Sequence, residues 1–155
     1  KHINKYATYG LAKMSGVAIL LIGTGTLAGI IANSGLKDVI ISGINALGLP
    51  SFMLAPVSGI LMSAATASTT SGTAMATSVF GPTIVQLGVA PLATAAMIHA
   101  GATVLDHLPH GSFFHATGGS VSMDMKERLK LIPYESLVGL TMTIVSTIIF
   151  GIILK

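Results

Sequence analysis

From Val39 to Leu105 the chain runs 67 residues without an Asp, Glu, Lys or Arg. A soluble domain cannot leave so long a segment uncharged, because its exposed faces would lack the solvated groups that keep it from aggregating. Lipid is the solvent such a run suits. A plain anchor, however, is Leu, Ile and Val throughout, whereas SAATASTTSGTAMATS, from Ser63 to Ser78, is small, polar and crowded with hydroxyls. Charged residues make up 8% of the chain, hydrophobic ones 52%, and mean hydropathy is +0.83. An ordinary soluble domain carries about 25% charged residues. The expected class is therefore an all-α integral membrane protein.

The 18 glycines suit helices that approach closely through small side chains. The absence of Cys excludes disulfides, iron–sulfur clusters and thiolate zinc sites, and no cofactor is expected. The net charge of +3 is not a nucleic-acid signal, since its Lys and Arg lie in short polar stretches beside apolar segments, where topology rules explain them. The chain starts Lys1-His2-Ile3-Asn4-Lys5 with no initiating Met or signal pattern, and stops at Lys155 just after an apolar segment. On this basis it is expected to be a single transmembrane domain over 1–155, the C-terminal part of a larger permease whose N-terminal half is its missing partner.

A spanning helix needs about 20 apolar residues. Ser15 to Asn33 provides the first, with a glycine-rich interior, GTGTLAG, that permits close packing or a local break. Asn33-Ser34-Gly35 reads as a helix C-terminus with Gly35 left-handed. Lys37 to Leu47 reads as a short amphipathic helix with Val39, Ile40, Ile44 and Leu47 on one face. Phe52 to Val89 re-enters the apolar phase, with a helix break expected near Gly72. Pro91 to Leu105 follows, then a polar, cytoplasmic loop over 116–133, and Glu135 to Leu154 reads as a lipid-facing span with little chemistry. Lys1, Lys5 and Lys13 before the first span, and Lys126, Arg128 and Lys130 before the last, place both segments on the cytoplasmic side. An even number of crossings must separate them. Either one middle element is re-entrant or Phe52 to Val89 crosses twice, and re-entrant backbone is tolerated only where protein or a water-filled cavity satisfies it. That points to a transport path.

Nine of the sixteen residues from Ser63 to Ser78 carry hydroxyls. At a helix break, freed N–H groups and hydroxyls can hold an anion, because the following half-helix begins with partial positive charge. Ser68, Thr69, Thr70, Ser71, Gly72 and Thr73 are the candidate substrate-binding residues. The plainer alternative is that these hydroxyls bond back to their own helix carbonyls. Asp106, His107 and His110 form a second cluster, with His115 beyond and His99 upstream, and are the candidate proton-coupling or gating residues. Ionisable groups at membrane depth commonly serve ion paths, and histidine exchanges protons near neutral pH. Pro109 breaks the register that would bring His107 and His110 together, which argues against a metal site.

The order of GTGTLAGIIANSGL, TSGTAMA, and HAGATVLDHLPHGSFF before a polar loop and a final span resembles the C-terminal half of the GntP gluconate permease family. The resemblance implies a bacterial inner-membrane, multi-pass proton symporter, one half of an inverted-repeat transporter with a broken or re-entrant helix hairpin. It implies a small hydroxycarboxylate such as gluconate as substrate. Ser71 and Thr73 fall in that family's Gly-Ser-Ala-Thr type motif, and Gly101 and His107 in its Ala-Gly-Ser and Ser-His-Val-Asn-Asp-Ser-Gly segment. Pro109 and His110 stand where its Asn and Asp would be, and Asp106 where a Ser is usual. Two other functions stay open. Hydroxyls and freed carbonyls also suit sodium, as in a sodium/proton antiporter of related architecture. An intramembrane serine hydrolase would use Ser71 as nucleophile with His99 or His107 as base, without the usual nucleophile turn, so no enzyme is expected.

Overall fold

The computed structural model describes residues 2–154. Lys1 and Lys155 lie outside them, as do the side chains of Lys13 and Lys37. Every regular element among them is helical: α1 His2–Ala32, α2 Leu36–Ala46, α3 Leu54–Thr66, α4 Thr69–Gln86, α5 Pro91–Ala102, α6 Ser112–Ser120, α7 Met125–Leu129 and α8 Ile132–Thr147, the last continuing as a π-helical turn, Ile148–Ile153. One stretch among them, Met125–Ile153, is long and apolar enough to cross a membrane.

The centre of the molecule is the α3–α4 hairpin with α5 beside it. Pro56 is tolerated in the first turn of α3, where its missing N–H has no intrahelical partner to lose. The helix stops because Ala67 is left-handed (φ 44, ψ 44) and Ser68 is extended (φ −154, ψ 124). Two residues thus reverse the chain. The left-handed conformation costs an alanine about 1–2 kcal/mol, and Ala67 is held in it while buried. The reversal lies at Ala67-Ser68, not near Gly72 as the sequence suggested. Gly72 belongs to the packing of the hairpin, since a Cβ there would come 2.7 Å from the Ser63 Cα of the facing helix.

α5 starts on Pro91, whose fixed φ suits a first helical position, after a turn in which Gly88 has φ 93. It crosses α3 where Gly59 faces Ile98 and Ala102, with a Cβ on Gly59 only 3.0 Å from the Ala102 nitrogen. α8 runs back along α5, and Thr143 Oγ1 donates to Ala100 O at 2.9 Å. Its π-turn seats Gly151 against the Phe52 ring. Leu54, Met75, Phe80, Ile84, Met97 and Ile98 fill the space between, all but fully buried. Close approach at small residues is what holds helices together when their surroundings are as apolar as their side chains.

The outer elements resolve one open alternative of the sequence reading and depart from it in two places. α1 runs unbroken through GTGTLAG. Gly35 is right-handed (φ −69, ψ −4) and caps the start of α2, so α1 and α2 meet without a left-handed residue. On α2 the inner face is Ile40, Ile41 and Ile44, while Val39 and Leu47 are exposed. The stretch 116–133 carries the last turn of α6 and the short α7, whose start is a capping box between Asp124 and Glu127.

Candidate functional site

The segment after α5 folds back over the tip of the hairpin. α4 begins there with Ser68 as its cap, the hydroxyl accepting from the Ser71 N–H at 3.3 Å. The other first-turn N–H groups have no intrahelical acceptor and carry the positive end of the helix dipole. Asp106 reaches this end: Thr69 Oγ1, on the first residue of α4, donates to Asp106 Oδ2. On the other side of the break His110 Nε2 donates to Ala64 O, in the last turn of α3, at 3.1 Å. An acidic side chain thus meets the N-terminus of one half-helix and a basic one the C-terminus of the other. Gly111 allows the approach, since a Cβ there would lie 2.6 Å from the Ala67 Cβ.

His107 points the opposite way from His110 and is 2% exposed. Its Nδ1 lies 3.1 Å from Asp106 Oδ1, and its Nε2 2.9 Å from Ser136 Oγ and 3.2 Å from Ile132 O, both on α8. Thr69, Asp106, His107 and Ser136 therefore form one chain of polar contacts from the hairpin tip to the last helix. A cavity of about 310 Å3 opens beside it, with Thr103, Asp106, His107, Tyr134 and Glu135 in its wall.

The remaining hydroxyls divide between the two readings. Ser63, Thr66 and Ser78 bond back to Ile60, Met62 and Ala74 carbonyls, which is the plainer alternative. Thr70 is exposed. Thr73 Oγ1 is 3.3 Å from His99 Nδ1, so His99 joins the side of the hairpin rather than the Asp106 cluster. His115 is exposed and stands edge-on to Phe114. Ser71 Oγ is buried and has no hydrogen-bond partner among the described residues. With His99 on Thr73 and His107 on Asp106 and Ser136, no histidine activates Ser71, and the hydrolase arrangement is not formed. Among the described residues no three His, Asp or Glu groups gather as a metal site.

Two features were invisible in the sequence. The last span was expected to bring little chemistry, yet it supplies Ser136 to His107. Arg128 is buried, donating from Nη1 to Glu135 Oε2 at 2.7 Å and from Nε to Phe114 O at 3.3 Å, with its guanidinium 4.8 Å above the Phe114 ring. Glu135 and Ser136 stand one turn inside a helix that carries four further Ser and Thr hydroxyls, Thr141, Thr143, Ser146 and Thr147, so nothing in the sequence sets them apart.

A sequence profile of the Na+/H+ antiporter family matches residues 1–109, which takes in α1 through α5 and the Asp106 segment. The chain belongs to the Na+/H+ antiporter family. An uncharacterized transporter from Haemophilus influenzae is 72% identical over 152 residues, covering 98% of this chain and 36% of its own length, so the chain spans about a third of that curated relative. No solved structure matches.

Membership of the Na+/H+ antiporter family overturns the resemblance to gluconate permeases, so the match of Ser71, Thr73, Gly101 and His107 to that family's motifs no longer supports a role for them. The motifs misled for a physical reason. Any broken-helix transporter needs small residues and hydroxyls at the break, so that composition is not peculiar to one family. The antiporter family is defined by ion exchange, not by enzymatic chemistry, and neither comparison points to a carboxylate substrate. The place reserved for a substrate carboxylate at the start of α4 is met by the chain's own Asp106.

Proposed function

We propose that the chain is the part of a bacterial cell-membrane sodium/proton exchanger that carries the proton. The observation behind this reading is the Asp106 carboxylate, held between the first residue of a half-helix and a buried histidine. Family membership supports it independently. A carboxylate and an imidazole in contact form a unit that takes up and releases a proton without moving any backbone.

In this reading the protein is multi-pass. Met125–Ile153 is a lipid-facing span, for which the exposure of its surface argues: only 17% of its most apolar window is buried, where the core helix of a soluble domain is mostly covered. The α3–α4 hairpin enters the bilayer and returns, and its tip is the broken-helix site at which one half of a repeat transporter handles its ion. The 103–111 segment, with Asp106 on one helix end and His110 on the other, is the gate at that tip.

The test is a sodium pulse on the full-length protein in liposomes loaded with a pH-sensitive dye. Exchange gives a sodium-dependent change of internal pH that needs no organic acid. A pH change that instead requires an added hydroxycarboxylate, with no response to sodium, contradicts the reading.

A further inference from the structure

The contacts of His107 constrain where its protons sit. Ile132 O is a carbonyl and only accepts, so the 3.2 Å contact is a hydrogen bond only with a proton on Nε2. Nδ1 faces Asp106 Oδ1 at 3.1 Å, and two lone pairs cannot share that distance. A second proton lies between them. All of these contacts are hydrogen bonds together only when the Asp106–His107 pair is loaded: imidazolium and carboxylate, or imidazole and carboxylic acid, with no net charge.

When the pair releases one proton, a single proton remains for two ring nitrogens. Keeping it on Nδ1 preserves the contact with the Asp106 carboxylate, which then still accepts from Thr69. Nε2 is left as a bare acceptor 3.2 Å from a carbonyl that cannot donate to it. Ser136 Oγ, 2.9 Å away, can. A serine hydroxyl accepts and donates by rotating about one bond.

We propose that Ser136 is the positioning residue for proton exchange, accepting from His107 Nε2–H in the loaded state and donating to the bare Nε2 in the unloaded one. The released proton leaves Nε2 for water in the cavity of about 310 Å3 whose wall includes His107. This rests on the reading of Asp106 and His107 as the proton site and deepens it. Ser136 lies outside residues 1–109, over which the family profile matches, so the assignment comes from this fold alone. The groups facing His107 are few. Asp106 is on its own segment; Tyr134 and Glu135 of α8 line the same cavity, and Glu135 is held by Arg128. From α4 and the end of α5 come Thr69 and Thr103, which do not titrate.

The test uses the full-length protein in liposomes, as wild type, Ser136→Ala and Ser136→Thr. Removing the hydroxyl leaves the loaded state its Ile132 partner but strips the unloaded state of its donor. The pH profile of exchange in Ser136→Ala therefore moves to the alkaline side by about one unit, on the order of one lost hydrogen bond to a buried acceptor. Ser136→Thr restores it. Nitrogen-15 spectra of His107 read the same event without transport: at high pH the bare Nε2 carries the shift of a hydrogen-bonded acceptor in wild type and that of an unbonded one in Ser136→Ala. An unmoved profile with an unmoved Nε2 shift overturns the proposal, as does a threonine variant no better than alanine. If wild type exchanges no sodium for protons, the antiporter reading fails, while the nitrogen-15 spectra still decide the role of Ser136.

Discussion

The two helix ends at the break are treated differently. The N-terminus of α4 is met by Asp106, whose other oxygen contacts a histidine that is nearly inaccessible and tied to α8. The C-terminus of α3 is met by His110, which is exposed and whose ring bonds the Ala64 carbonyl. Both side chains complement a helix dipole. The acidic arm continues across three elements, whereas the basic arm ends where it lands. On the proposed reading the difference separates proton handling from simple fastening, with Asp106 in a relay and His110 as a clip.

Breaking the platform under both arms has the largest expected effect. Gly72→Val would drive a side chain into Ser63 of the facing helix, and Gly111→Val into Ala67. Each is expected to destabilise by about 3 kcal/mol or more, seen as loss of a monodisperse peak in detergent. Gly119, where an added Cβ would meet nothing within 4 Å, is the control and should tolerate the same change. Next comes Asp106→Asn, which keeps the shape and removes the proton partner. Exchange should fall by about 100-fold or more, with the protein still folded.

Smaller effects sharpen the comparison. Thr69→Val removes the hydroxyl that donates to Asp106, and a bond to a charged group is worth about 1.5–3 kcal/mol. Exchange should drop by roughly tenfold, and thermal stability should fall in step. Ser71→Ala is the smallest. Its hydroxyl is buried with no partner among the described residues, so stability should change by less than about 0.5 kcal/mol or rise slightly, and exchange should persist. Loss of exchange in that variant would return the site to the serine-rich helix start.

Much of this arrangement was legible in the residues. The uncharged run and the helical class followed from composition, and a doubling back between Phe52 and Val89 was one of the two threadings that the basic segments left open, whereas the cluster read around Asp106 divides, His107 going to α8 and His110 to α3. The break was misplaced because glycine served as its marker, while the chain reverses on Ala67, an alanine held left-handed by what packs on it. Gly72 is conspicuous for a different reason, the closeness of two helices. On α2 a period read without its neighbours chose Val39 and Leu47, and contact with the bundle selects Ile40, Ile41 and Ile44 instead. Ser136 could not be found from sequence at all, since its role depends on the 2.9 Å between residues 29 positions apart.

The decisive experiment sets Asp106→Asn beside His110→Ala in one sodium-pulse assay on the full-length protein in liposomes. Asp106→Asn is expected to abolish exchange, while His110→Ala keeps it within about tenfold of wild type, at the cost of one hydrogen bond. Exchange that survives in Asp106→Asn and disappears in His110→Ala would overturn the assignment of relay and clip, and would place the proton on the other end of the break.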